Sequence, residues 1–163
     1  MSEPATSRRA LDEGLRHLSH ERIAESVEAL REATTEDPTD PAAQAFLAAA
    51  LFAAGDAHAA EVAIDRALAL DPGGFWPHLK AGELRFRLGD AEAAESHFLV
   101  ALRAVEPGTR ESMVAADALV RARKATSRSI AHRAVLPARL HRLLGRRPSP
   151  VGVATREAHG SGP

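Results

Sequence analysis

Apolar residues recur along most of this chain at spacings of three and four, which is the pattern of helices that bury one face. Leu11, Leu15 and Leu18 follow that spacing in a segment of about residues 8–20, and a second such stripe occupies about residues 22–35. The alanine-rich composition, with 4% aromatic residues, suits helices that pack closely and not a sheet. The pattern therefore predicts an all-α fold.

The clearest helical pair lies between Pro41 and Pro72, in the stretch PAAQAFLAAALFAAGDAHAAEVAIDRALALDP. Helix-favouring Ala, Leu and Glu fill it, and breakers lie only at its ends and at a turn over residues 54–56. Asp40 precedes it as a cap, with Pro41 at the first helical position, where a missing N–H costs nothing. This stretch predicts two antiparallel helices joined by a tight turn.

The same pair recurs with a period of 34 residues. Gly55 and Gly89 are separated by 34 positions, as are Pro38 and Pro72, and Asp-Ala at 56–57 returns at 90–91. A 34-residue period of helix–turn–helix units is the tetratricopeptide spacing. The chain resembles the tetratricopeptide repeat (TPR) family over about residues 7–107.

The positions that are small, large or proline in that family support the resemblance. Small residues fall at repeat positions 8, 20 and 27, a large residue at position 24, and proline at position 32 of the first two repeats: Gly14, Ala48, Gly82; Ser26, Ala60, Ala94; Ala33, Ala67, Ala101; Leu30, Ile64, Phe98; Pro38, Pro72. The family's aromatics at positions 4 and 11 are absent. The resemblance implies a right-handed α-solenoid with repeats at 7–40, 41–74 and 75–108, preceded by a tail over 1–6.

The resemblance also implies a concave groove, lined by the first helix of each repeat, that binds peptides or protein segments. The implied groove residues are Leu11, Leu15, Leu18, Ala45, Ala49, Phe52, Trp76, Leu79, Glu83, Phe86 and Arg87. This set is largely apolar, which fits an apolar peptide or an amphipathic helix. Family members that hold a C-terminal carboxylate carry Lys, Asn and Arg at positions 5 and 9, which this chain lacks. For Trp76, packing on the preceding second helix and a role as a binding hot spot both remain open.

Two further helical segments are predicted after the repeats. Thr109 is placed to cap a capping helix over 109–125, with Met113, Ala116 and Val120 along one face, because stacked repeats need a cover for the last apolar face. A basic amphipathic extension follows over 126–145, opened by Ser127 or Ser129 and kinked or split at Pro137. Its basic segment carries Arg133, Arg139, Arg142, Arg146 and Arg147. Residues 146–163 are rich in Pro, Gly and Ser and are predicted to be disordered.

Charge divides the chain into two opposed parts. Residues 1–109 hold 10 Lys/Arg and 19 Asp/Glu, a net charge of −9, whereas residues 110–163 hold 11 and 3, a net charge of +8. The basic end can pack on protein, either its own groove or a second copy, or it can meet a partner protein, an anionic membrane or nucleic acid. Its lack of interleaved aromatics disfavours single-stranded nucleic acid. We expect residues 129–144 to fold back on the groove.

Candidate chemistry is sparse. His17 and His20 share a helix face beside Glu21, but no third ligand follows at matching spacing, so we expect no metal site and no cofactor. No phosphate loop or nucleophile motif occurs, which argues against an enzyme. The chain has no cysteine, no secretory signal pattern at its start and no apolar run long enough to span a membrane, so we expect a cytoplasmic protein.

The sequence therefore predicts a non-catalytic scaffold or adaptor that binds a protein or peptide segment in its groove, with its own C-terminal segment as a competing occupant and self-association left open. The alternative is a nucleic-acid or membrane-surface adaptor that acts through the basic residues of 121–147.

Overall fold

The computed structural model describes the backbone of residues 3–144 and the side chains of residues 6–130. The described backbone is helical, with no strand. It forms the helices α1 (Glu3–Ser19), α2 (Ile23–Glu36), α3 (Pro41–Ala53), α4 (Ala57–Leu70), α5 (Phe75–Arg87), α6 (Ala91–Arg103) and α7 (Arg110–Leu144). The all-α prediction is confirmed, whereas α1 begins at Glu3 and so includes part of the predicted tail over residues 1–6. The chain divides into two compact units, Met1–Arg128 and Ser129–Pro163.

The first six helices form three antiparallel pairs, α1/α2, α3/α4 and α5/α6, and successive pairs stack through α2 on α3 and α3 on α5. The turns inside the second and third pairs use Gly55 and Gly89 with φ of 90° and 86°. Glu21 takes the corresponding place in the first pair and adopts φ 59°. This left-handed conformation is disfavoured for a residue with a Cβ atom, so the first turn carries local strain.

Aspartate side chains begin three of the helices. Asp40 Oδ1 accepts hydrogen bonds from Ala42 N at 2.8 Å and Ala43 N at 3.2 Å, which confirms the predicted cap of α3. Asp56 and Asp90 cap α4 and α6 in the same way, each through one backbone amide at 3.0 Å. Each such cap satisfies amides that would otherwise lack a partner at the helix start.

Threonine 109 also acts as predicted, because its hydroxyl accepts a hydrogen bond from Ser112 N at 3.2 Å at the start of α7. The expected role of Ser7 as the cap of the first helix is wrong. Helix α1 already begins at Glu3, and Ser7 is buried inside it, where its hydroxyl donates to the Ala33 carbonyl of α2 at 3.3 Å. Ser7 therefore joins two helices instead of beginning one.

The core lies between the stacked pairs and depends on close helix contacts. One cluster of buried side chains joins all three helical pairs around Leu30, Leu51 and Ile64. A second cluster joins α5, α6 and the start of α7 around Leu79 and Phe98. The helices approach so closely that the small residues of the repeat are needed for packing, which is the physical basis of the 34-residue pattern.

Helix α7 differs from the sequence prediction in its length. A break near Ser127 or Ser129 and a kink or split at Pro137 were expected, but α7 runs as one helix of 35 residues from Arg110 to Leu144. A kink at Pro137 stays a prediction. Residues 121–136 contain neither Gly nor Pro, so nothing in them ends a helix, and serine is tolerated inside one. The predicted boundary between a capping helix and a separate helical extension is wrong at the level of secondary structure.

The predicted apolar face of α7 is also wrong. The helix buries Ser112, Ala115, Ala118, Leu119 and Ala122 against the third repeat, and it leaves Met113 and Val120 about three-fifths exposed, at 62% and 60%. Small residues form the buried stripe because α7 lies close to α5 and α6, as it does in the second core cluster. The expected covering of the last repeat is present, but through a different stripe.

Candidate functional site

Two adjoining cavities lie along the first helices of the repeats. The first has a volume of about 280 Å³, and its lining consists of Leu18, Ile23, Ala48, Ala49, Phe52, Ala53, Lys80, Glu83, Leu84 and Arg87. The second has about 170 Å³, and its lining consists of Glu83, Phe86, Arg87, Phe98, Ala118 and Arg121. Because Glu83 and Arg87 line both, the cavities form one depression from α1 to α7, which we call the groove.

The groove collects six of the residues that sequence analysis assigned to it: Leu18, Ala49, Phe52, Glu83, Phe86 and Arg87. They come from α1, α3 and α5, so the 34-residue spacing brings together side chains that are far apart in the chain. Sequence analysis missed several other lining residues, among them Ile23, Ala48, Lys80 and Arg121. The family pattern assigns groove positions only to first helices, and it therefore could not indicate Ile23, which belongs to a second helix, or Arg121, which lies beyond the repeats.

The other predicted groove residues lie elsewhere. Ala45 and Leu79 are 0% and 2% exposed, so they belong to the core and offer no surface to a partner. Each sits on a first helix that is covered by a neighbouring helix, α5 over α3 and α7 over α5. Leu11 and Leu15 are half-buried against the first core cluster and line neither groove cavity.

Trp76 belongs to a third cavity of about 400 Å³, together with Phe75, Leu79, Arg110, Glu111 and Val114. Its ring lies 4.9 Å from the Phe46 ring of α3 and 4.8 Å from the Phe75 ring, measured between centroids. These ring contacts join Trp76 to a first helix, α3, and to its own helix, and both alternatives left open by the sequence stay predictions. Trp76 is 37% exposed, so its indole remains partly open to solvent at the edge of the third repeat.

Charged groups at the groove are arranged in two ways. Lys80 Nζ lies 3.0 Å from Glu83 Oε2, and it also stands 5.2 Å above the Phe46 ring. The Arg87 guanidinium instead stands over the Phe52 ring, with its central carbon 5.8 Å from the centroid. Such a contact combines cation–π attraction with apolar stacking. The groove therefore has an apolar floor and a mixed charged rim.

A histidine pair joins α5 and α6 outside the groove. His78 Nδ1 lies 3.0 Å from His97 Nδ1, and His78 Nε2 lies 2.9 Å from the Pro72 carbonyl oxygen. A carbonyl only accepts, so His78 Nε2 is the donor there, and a neutral His78 accepts from His97 at Nδ1. Burial lowers the pKa of His97, and His78 and Arg85 lower it further by charge repulsion.

The predicted histidine face of α1 forms no ligand cluster. His17 Nε2 lies 3.6 Å from Glu13 Oε1 on the same helix, and His17 Nδ1 is buried with no hydrogen-bond partner among the described side chains. Across the part of the chain that the structure describes, no group of three or more His, Asp or Glu side chains converges as a metal site would require. Within the same residues, no helix is long and apolar enough to cross a membrane.

The side chains of the predicted basic segment, Arg133, Arg139, Arg142, Arg146 and Arg147, lie outside the described residues. Residues 146–163, with their expected disorder, lie outside the described residues as well, and the expected return of residues 129–144 to the groove stays a prediction.

Comparisons with known proteins agree with the repeat pattern. A family profile described as tetratricopeptide repeat matches residues 17–73. No curated protein sequence matches the chain. Among solved structures, the Sgt2 TPR domain from Aspergillus fumigatus is similar with a TM-score of 0.63 and 20% identity, covering 93% of this chain and 90% of that one.

Two similar structures are complexes. The first TPR of Spaghetti (RPAP3) bound to the HSP90 peptide SRMEEVD has a TM-score of 0.61 and 21% identity, covering 76% of this chain and 94% of that one. PcrH in complex with the chaperone binding region of PopD has a TM-score of 0.64 and 20% identity, covering 77% and 95%. At such identities the likeness shows the fold. Together with the repeat profile over residues 17–73 and the stacked helical pairs, it shows that the chain has the fold of stacked tetratricopeptide-type repeats.

Proposed function

We propose that this chain is a non-catalytic adaptor that binds an apolar peptide or helix of another protein in the groove. The observation that carries the proposal is the apolar lining contributed by three successive first helices, with Leu18, Ala49 and Phe52 partly open to solvent. Covering a large apolar side chain contributes about 1.5–3 kcal/mol. A partner segment that covers these side chains gains affinity from their burial.

Two of the similar structures, those of Spaghetti and PcrH, hold a segment of another protein, which supports segment binding by this fold. Binding of the acidic C-terminus of a peptide is disfavoured here, because the positions that would hold a terminal carboxylate carry no cation. In this chain they are Leu11, Leu15, Ala45, Ala49, Leu79 and Glu83. An apolar segment is therefore the better ligand.

Peptide display tests the proposal directly. A random peptide library is selected on the full chain, and the affinity of the recovered peptides is measured by fluorescence anisotropy. Phe52→Glu removes the largest apolar contact of the first cavity, so the affinity should fall about 10- to 100-fold, the equivalent of about 1.5–3 kcal/mol. The matched control is Val62→Glu, which changes an exposed apolar residue of α4 away from the groove and should leave the affinity unchanged.

A second variant distinguishes loss of peptide binding from loss of folding. Phe52 also packs on the first core cluster, whereas Ala53 is exposed and lines the same cavity. Ala53→Gln should keep the circular dichroism of the wild type and weaken peptide binding. Peptides that bind both groove variants as tightly as the wild type would show that binding occurs elsewhere, and the proposal would be wrong.

The remaining parts of the prediction stay proposals. A cytoplasmic location is supported by the absence of cysteine. A nucleic-acid or membrane-surface adaptor acting through the basic residues of 121–147 is the alternative, and binding that weakens steeply with salt would favour it. Self-association and occupation of the groove by the chain's own C-terminal segment are likewise hypotheses from sequence.

A further inference from the structure

The groove contains one cation that has no carboxylate partner among the residues the structure describes. Lys80 pairs with Glu83 at 3.0 Å, and Arg121 pairs with Asp117 at 3.1 Å. Arg87 forms no ion pair and rests its guanidinium over the Phe52 ring. The face of the guanidinium is therefore occupied while its N–H donors remain open to solvent.

Arg87 also lies at the centre of the groove, because it lines both cavities, as does Glu83, whose carboxylate is paired with Lys80. On one side of it lie Phe52 and Ala53, and on the other lie Phe86 and Phe98. A carboxylate that met Arg87 would consequently have apolar pockets on both sides. Ion pairs that are flanked by apolar groups are less screened than those on an open surface.

The charge of the lining is opposite to that of the protein body. Lys80, Arg87 and Arg121 oppose Glu83 in the two cavities, whereas residues 1–109 carry a net charge of −9. The cationic rim thus stands out from an acidic surface. Charge complementarity of this kind selects for a ligand with negative charge at a defined place.

We propose that the groove recognises an acidic–apolar segment of a partner protein, in which one internal Asp or Glu side chain pairs with Arg87 and large apolar side chains on either side fill the two cavities. This inference rests on the proposed function and specifies its ligand. Arg87 serves as a two-pronged donor, and the Phe52 ring holds its plane in place.

The chain's own C-terminal segment does not have this chemistry. Residues 129–147 contain no Asp or Glu and carry the five arginines of the basic segment. Placed in the groove, this segment would bring cations towards Lys80, Arg87 and Arg121, and like charges at short distance oppose binding. The occupant that fits is therefore a separate, acidic partner.

A charge reversal tests the inference. The same random peptide library is selected in parallel on the wild-type chain and on Arg87→Glu. Wild-type peptides should carry Asp or Glu between large apolar residues, and peptides from the variant should carry Lys or Arg at that place. Each peptide should bind the other protein on the order of tenfold more weakly, the usual range for a charge-assisted hydrogen bond. Arg87→Gln, which removes the charge without reversing it, should weaken the acidic peptides alone.

The matched control is Arg103→Glu, because Arg103 is an exposed arginine of α6 that does not line the groove. It should select the same peptides as the wild type. Selected peptides that lack an acidic residue and bind Arg87→Glu unchanged, yet still depend on Ala53, would overturn this inference and leave the proposed function intact. Loss of the Ala53 dependence would overturn the proposed function itself. A synthetic 129–147 peptide that outcompetes the acidic peptides on the wild type would show that the chain's own segment is the occupant, and would overturn the inference.

Discussion

The close approach of α5 and α6 makes a quantitative prediction at Gly82. A Cβ atom placed on Gly82 would lie 2.5 Å from Phe98 Cε1 and 2.6 Å from Cδ1. Ordinary contacts of a Cβ atom begin at 3.4 Å, so the ring or the helix would have to move by about 0.9 Å. Phe98 is 2% exposed and packed in the second core cluster, so a shift of its ring would disturb buried contacts.

Gly82→Ala combines two opposed effects. Overpacking of a buried site costs about 1–3 kcal/mol, and replacing glycine by alanine inside a helix gains about 1 kcal/mol. We therefore expect a net loss of about 1 kcal/mol. Repeat 2 carries Ala48 and Ile64 at the corresponding positions, both buried, so the change should no longer destabilise the protein in a Phe98→Ile background.

Urea denaturation followed by circular dichroism measures both effects. Gly73→Ala is the matched control, because a Cβ atom there meets nothing within 4 Å and the residue has no positive φ. That variant should be neutral or slightly more stable than the wild type. If Gly82→Ala instead stabilises the chain by about 1 kcal/mol, as alanine does in an open helix, the helices are not in close contact and the packing account is wrong.

Three further predictions concern single side chains. Glu21→Gly should raise the free energy of unfolding by about 0.5–1 kcal/mol, because glycine relieves the left-handed φ of 59°; an unchanged or lower denaturation midpoint would contradict this. Asp90→Ala should lower the free energy of unfolding by about 1 kcal/mol through loss of the α6 cap; a denaturation midpoint equal to that of the wild type would contradict the role of the cap. Because burial, His78 and Arg85 lower the pKa of His97 from its ordinary 6.5, the contribution of His97 is full above about pH 6.5 and falls as the pH drops below it, since the unfolded chain binds the proton first. Urea midpoints from pH 8 to 5 should therefore fall less steeply for His97→Gln than for the wild type, and equal slopes would refute this assignment.

Much of the fold follows from local chemistry that is visible in the sequence. The 34-residue spacing of Gly55 and Gly89 placed the turns, and Asp40 and Pro41 placed the start of α3, because these residues act within a few positions of themselves. The repeat spacing in turn brought Phe52, Glu83 and Arg87 to one groove. The periodicity of the sequence is therefore sufficient to predict features that recur in each repeat, such as the turns and part of the groove.

The predictions were wrong for residues whose burial depends on helices that are distant from them in the sequence. Ala45 and Leu79 face other helices instead of a partner, and their burial depends on how α5 and α7 lie over them. The spacing of Met113 and Val120 predicted a buried face, but α7 packs on the third repeat through its alanine stripe, and both residues are exposed. The stacking of Arg87 on Phe52 depends on two helices and carries no sequence signal.

The most direct test of the central claim locates a bound peptide on the protein. The tightest peptide from the display selection is titrated into the full chain labelled with ¹⁵N, and the shifts of the backbone amides are followed. Binding in the groove predicts the largest shifts at Ala53, Glu83 and Arg87, with little change at Val62 and Leu70 of α4. Shifts concentrated on α4 with the groove amides unmoved would contradict the proposed function.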